Sequence, residues 1–320
     1  MSDDSTTRQV GARTVPIPSH LSAHAQFMLG IERDDAYPPL DDHDAWRAAR
    51  EAGNALRLGA YGPMAAAIDA EVEEITVGPV PVYVVTPVGI EPDDDRVFLD
   101  VHGGALTVGN GAVCRATGIL ATRYSGVTTW AVDYRLPPEH PFPTPLDDCL
   151  AVYEALLERR APGRIILGGL SAGANLVAAT ILKARDAGLP MPAAAVLLSP
   201  HLDLTESGDT FHTNMGIDNV LSVSPMPASL LYANGHDLGD PYLSPLFGDF
   251  TKGFPPTLLT AGTRDLFLSN SVRMHRALRA VGIEAELHVM EAAPHAGFLG
   301  SPEDLEVLAD VRRFVDAQWQ

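Results

Sequence analysis

Short apolar runs at 80–85, 96–101, 128–132, 164–167, 193–198, 257–260 and 284–289 predict strands. Stretches of helical texture lie between most of them, at 112–124, 146–159, 172–187, 271–281 and 302–319. A chain that alternates this way builds parallel crossover units, and a parallel sheet must be covered on both faces. The expected class is therefore α/β, with a mostly parallel central sheet flanked by helices. The 320 residues leave room for two ordinary domains or one large one with additions.

Two segments break the rhythm. Residues 41–70 are alanine-rich, with Trp46, Ala49, Leu56 and Ala60 at helical spacing. Between Asp203 and Pro256 no strand-like run occurs, although 227–232 reads as a helical fragment. An insertion that long in a compact domain usually carries function. With the N-terminal segment it is expected to cap the carboxyl edge of the sheet, where such folds bind ligands. The expected organisation is one domain over 1–320, with a cap from about 1–60 and 204–240.

The formal charge is 22 − 41 = −19, which repels phosphate backbones and anionic membrane surfaces. Nucleic acid is therefore not an expected partner. Cys114 and Cys149 are too few for a disulfide framework, form no CxxC pair, and read as buried inert thiols. The first 20 residues are polar, include Asp3 and Asp4, and lack the apolar segment of a secretory signal. No run approaches the roughly 18 apolar residues of a membrane span. A cytoplasmic location is expected.

The sharpest motif is Gly169-Leu170-Ser171-Ala172-Gly173, between a strand and a helix. A serine on that tight turn is crowded, and the two glycines relieve the crowding. The helix start also offers free N–H groups to a developing anion. An ordinary glycine–serine turn is the alternative reading. Upstream, His102-Gly103-Gly104-Ala105 follows a strand, and its glycines let backbone N–H groups face a ligand. Downstream, Asp265 and then His295 each follow a strand, in the chain order serine, acid, histidine. His295 is the expected base for Ser171, and Asp265 the acid that orients it. Asp265 could instead cap the next helix. His288, within a strand, is expected to face packing or solvent. His20 and His24 lack the glutamate of an HExxH site and any evident third ligand, so no metal is expected there.

These residues carry a resemblance. HGGAL at 102–106, DYRLPPEHPFPTPLDD at 133–148, GLSAGANL at 169–176 and DPYLSPL at 240–246, with GTRDLF and PHAGF, resemble the bacterial hormone-sensitive-lipase-like (family IV) carboxylesterases. That family is a capped branch of the α/β-hydrolase superfamily, and the likeness covers about 80–319. It implies a serine carboxylesterase that cleaves short- to medium-chain esters through an acyl-enzyme, without metal or cofactor. Ser171, Asp265 and His295 would form the triad, and Gly103, Gly104 and Ala172 the oxyanion hole. Many members pair as homodimers through the last strand. The pattern departs at Ala105, at Ala174 and at Leu170, where glycine, glycine and aspartate are usual. Leu106 and Leu170 are expected to wall an apolar acyl site. The alternatives are lactone or amide hydrolysis by the same triad, or a non-catalytic small-molecule receptor on this fold.

Overall fold

The computed structural model describes residues 11–12, 14–32 and 36–319. Asp3, Asp4 and parts of the expected cap therefore lie outside the described residues. Among the described residues eight strands form one sheet, in the order β1-β2-β4-β3-β5-β6-β7-β8. They are β1 (Ala70–Val77), β2 (Val80–Pro87), β3 (Val97–Val101), β4 (Thr128–Val132), β5 (Ile165–Leu170), β6 (Ala194–Leu198), β7 (Thr257–Gly262) and β8 (Ala285–Met290). Strands β3 to β8 run parallel, whereas β2 pairs antiparallel with both β1 and β4. This mostly parallel α/β architecture is the one the sequence predicts.

Strand β1 is the element the sequence reading lacks. Its AEVEEITV run is half glutamate-interrupted, and none of its residues is fully buried. As an antiparallel edge strand it needs only one weakly apolar face, so it lacks the continuous run of a central strand.

Alternate residues of the central strands build two core layers. Leu99, Leu167, Leu197 and Leu259 pack on one face with α4 (Thr144–Leu157), α5 (Ala172–Asp186) and α8 (Leu268–Ala280). Phe98, Ile166, Val196 and Leu258 pack on the other with α3 (Ala112–Ser125) and α9 (Pro302–Gln318). The period of two along each strand is what divides a fully apolar run between the layers. Cys114 on α3 and Cys149 on α4 are buried and unbridged.

The segment after β6 carries only α6 (Thr210–Thr213), α7 (Met226–Ala233) and short 3₁₀ turns before β7. The DPYLSPL stretch ties it down. Asn175 on α5 donates to the carbonyls of His201 and Leu243, and Ser244 Oγ bridges Leu204 N–H and Leu238 carbonyl. At the N-terminal side lie α1 (Ala23–Leu29) and α2 (His43–Ala66). On α2 Trp46 is buried, but Leu56 is 67% exposed. Its apolar stripe faces a cleft rather than a core.

Candidate active site

The turn from β5 into α5 is held by close backbone approach. A Cβ on Gly173 would lie 1.9 Å from the Val101 carbonyl oxygen, and one on Gly169 2.7 Å from the same atom. Only glycine lets this turn sit against the end of β3. Ser171 between them has φ +60°, ψ −117°, a backbone region costly for any residue with a Cβ. It is the N-cap of α5, yet its side chain makes no capping bond. Its Oγ instead lies 2.9 Å from His295 Nε2.

His295 follows β8 and Asp265 follows β7, neighbouring parallel strands whose carboxyl ends meet at one edge. Nδ1 of His295 donates to Asp265 Oδ1 at 3.1 Å, which leaves Nε2 as the acceptor for the Ser171 hydroxyl. Asp265 Oδ1 also accepts the Phe267 N–H at 2.8 Å. The carboxylate thus shapes the turn before α8 as well as orienting the histidine. Ser171, Asp265 and His295 are 8%, 0% and 5% exposed, so the chain of hydrogen bonds is shielded from water.

One participant has no sequence signature. Asp218, nearly fully buried, accepts the His295 N–H at 3.2 Å and the Leu266 N–H at 2.8 Å. Burial and the nearby Asp265 charge raise the Asp218 pKa. Burial disfavours the His295 imidazolium, but Asp265 and Asp218 together outweigh it and raise the His295 pKa above 6.5. His201 lies in a plane against Phe267, at 4.2 Å between ring centres, and burial lowers its pKa to about 3. It is neutral beside the site.

The loop after β3 faces the elbow. A Cβ on Gly103 would lie 2.7 Å from the Leu170 carbonyl oxygen, and one on Gly104 2.1 Å from that of Val108. Ala105, at φ +52°, packs toward Trp46 of α2. Ala174 is buried within α5. The YRLPPEHP run holds this arrangement. Tyr134 donates to the His102 carbonyl at 2.9 Å, Arg135 pairs with buried Asp148, and Glu139 binds Arg47 and Arg50 of α2. Asn54 of α2 accepts the Gly109 N–H and donates to Asn110, which fixes the helix beside the loop.

A cleft of about 300 Å³ opens over these residues, lined by Gly103, Gly104, Leu170, Ser171 and His295. Trp46, Ala49 and Leu56 of α2 and Val220, Leu221, Val223 and Pro225 face the same space. Leu170 therefore lies where an apolar wall was expected. Leu106 does not. It is 1% exposed, points into the main core and leaves the cleft wall to its neighbours, because φ +62° turns it inward. His288 pairs with Glu286 and Asp310 at the outer side of β8. Among the described residues, no third ligand joins His20 and His24.

A family model described as alpha/beta hydrolase fold matches residues 98–299. An acetyl-hydrolase of Streptomyces hygroscopicus is 36% identical over 191 residues, 59% of this chain. The chain spans 64% of that relative's length. The crystal structure of an esterase called E25 superposes with TM-score 0.91 at 34% identity, over 98% of this chain and all of that one. An esterase structure from the bacterial hormone-sensitive lipase family gives TM-score 0.78 at 31% identity, over 93% and 99% of the two chains. The chain belongs to the α/β-hydrolase fold family and, within it, to the hormone-sensitive-lipase-like carboxylesterases.

Proposed function

We propose that this chain hydrolyses short- to medium-chain carboxylic esters by serine catalysis at Ser171. The single observation that carries the reading is the continuous Ser171–His295–Asp265 hydrogen-bonded chain opening into the cleft. His295 Nε2 takes the hydroxyl proton as Ser171 Oγ adds to the ester carbonyl. Asp265 holds the tautomer and steadies the imidazolium. The N–H groups of Gly103, Gly104 and Ala172 receive the oxyanion, an interaction worth on the order of a hundred- to a thousandfold per donor. His295 then protonates the departing alkoxide, and water releases the acyl group by the same steps in reverse.

The test is a panel of p-nitrophenyl esters from acetate to palmitate, with lactones added. Ser171→Ala should keep the native circular dichroism and lose at least about 10⁴-fold in kcat. Substantial turnover in that variant would sink the assignment. The reading of 1–60 and 204–240 as a cap on a single domain rests on α2 and on Val220, Leu221, Val223 and Pro225 at the cleft. In the same panel Leu221→Ala is expected to change KM for longer chains more than for acetate.

The unbridged thiols of Cys114 and Cys149 support a reducing, cytoplasmic compartment, which cell fractionation checks. No helix among the described residues is long and apolar enough to cross a membrane. A homodimer through β8 is supported by its place at the sheet edge, where Val289 is 43% exposed.

A further inference from the structure

A second cavity, of about 190 Å³, adjoins the cleft. Leu170 and Ala296 line both spaces, and they are the chain neighbours of Ser171 and His295. Beyond them the lining is mainly apolar, with Tyr124, Ser199 and Thr260 also on it. Met64 comes from the end of α2, Leu120 from α3, and Val307 and Leu308 from α9. Two charged groups, Arg123 and Asp304, stand among the lining residues. The Asp304 carboxylate is already engaged, accepting the N–H groups of Phe298, Gly300 and Ser301. Those bonds also fix the loop that forms one wall, so the cavity is built before any ligand arrives.

We propose that this cavity is a subsite for the alkyl chain of an ester bound at Ser171, entered past Leu170. The inference rests on the serine esterase reading above. Adjacency to the reactive serine argues for a substrate chain as the occupant, because the two residues shared by both spaces, Leu170 and Ala296, belong to the turns that carry Ser171 and His295. Size agrees, since an apolar cavity of about 150 Å³ takes up a benzene-sized ligand. Leu170 completes the wall in apolar form. An aspartate at this position would put a carboxylate on the wall, which an alkyl chain cannot solvate. Each methylene removed from water is worth about a fourfold gain in kcat/KM.

Two independent fillers, Met64→Phe and Leu308→Phe, test the subsite, with Leu170→Asp as a third variant. The readout is the ratio of kcat/KM for a C8 chain to that for C2, in which general damage to the enzyme cancels. One series varies the acyl half (p-nitrophenyl acetate and octanoate), and another the alcohol half (ethyl and octyl acetate). Each variant should lower the ratio at least tenfold, roughly two methylenes' worth, in whichever series sends its chain into the cavity. Ratios unchanged by both fillers in both series would overturn the subsite. A wild-type protein that turns over no ester would instead overturn the esterase reading. Sodium octanoate then still decides the cavity. A rise in Tm that Leu308→Phe abolishes supports an alkyl site, and no rise, or one the filler leaves intact, rejects it.

Discussion

His295 stands between opposing influences. Burial favours its neutral form, while Asp265 and Asp218 favour its charged form and prevail. As the proposed general base His295 must be neutral to accept a proton, so kcat/KM should be low at acid pH and rise through a pKa above 6.5. Asp218→Asn removes one of the two charges that raise this pKa. The acid limb of the kcat/KM profile should then move to lower pH, with a loss of less than about tenfold on the alkaline plateau. A limb that stays in place would show that Asp218 supports the loop only through its hydrogen bonds. Asp218 illustrates what the sequence conceals. It is one of 41 acidic residues, within a segment without periodicity, and only folding brings it to His295 from 77 positions away. Ser171, Asp265 and His295 were legible because strand ends and local motifs flank them. Leu106 was misplaced because its direction depends on a backbone angle that its neighbours in sequence do not announce.

The same contrast holds for elements. Strands β3 to β7 were legible as short apolar runs because both their faces are buried, whereas β1 shows water one face and hid its period behind glutamates. The stripe of α2 was legible as a helix from its period, but its place at the cleft followed only from the expected cap, since periodicity records an apolar face without naming what meets it. Strand β3 contains one local conflict, Asp100, which is buried beside Tyr124 at 3.5 Å. Burial raises its pKa from 3.8 to about 7. Below pH 4 the carboxyl is protonated both folded and unfolded, and the fold bears no penalty. As pH rises from about 4 to 7 the unfolded chain ionises first, so stability declines by an amount on the order of a few kcal/mol. Asp100→Asn should flatten that decline and raise Tm at pH 8, which melts at pH 5 and pH 8 would measure. An equal pH dependence in both proteins would rule Asp100 out as its source.

For the whole molecule, length left one domain or two open; the one eight-stranded sheet among the described residues supports the proposed single capped domain. The charge of −19 bears on association more than on chemistry. Two copies meeting at β8 would repel, and salt screens exposed charges beyond about 10 Å at 0.1 M. The dimer fraction in light scattering should therefore rise with salt, and Val289→Glu should depress it. A mass that stays monomeric at every salt concentration would exclude the pairing. The elbow has a consequence at this scale too. At Ser171 the fold holds a serine at φ +60°, a conformation that glycine adopts without the cost of about 1–3 kcal/mol borne by other residues. Selection for heat tolerance alone would thus drift toward Ser171→Gly, a sturdier protein without the proposed nucleophile. Directed evolution of this enzyme must screen for turnover at every round, because ruggedness and activity are in direct competition at one codon.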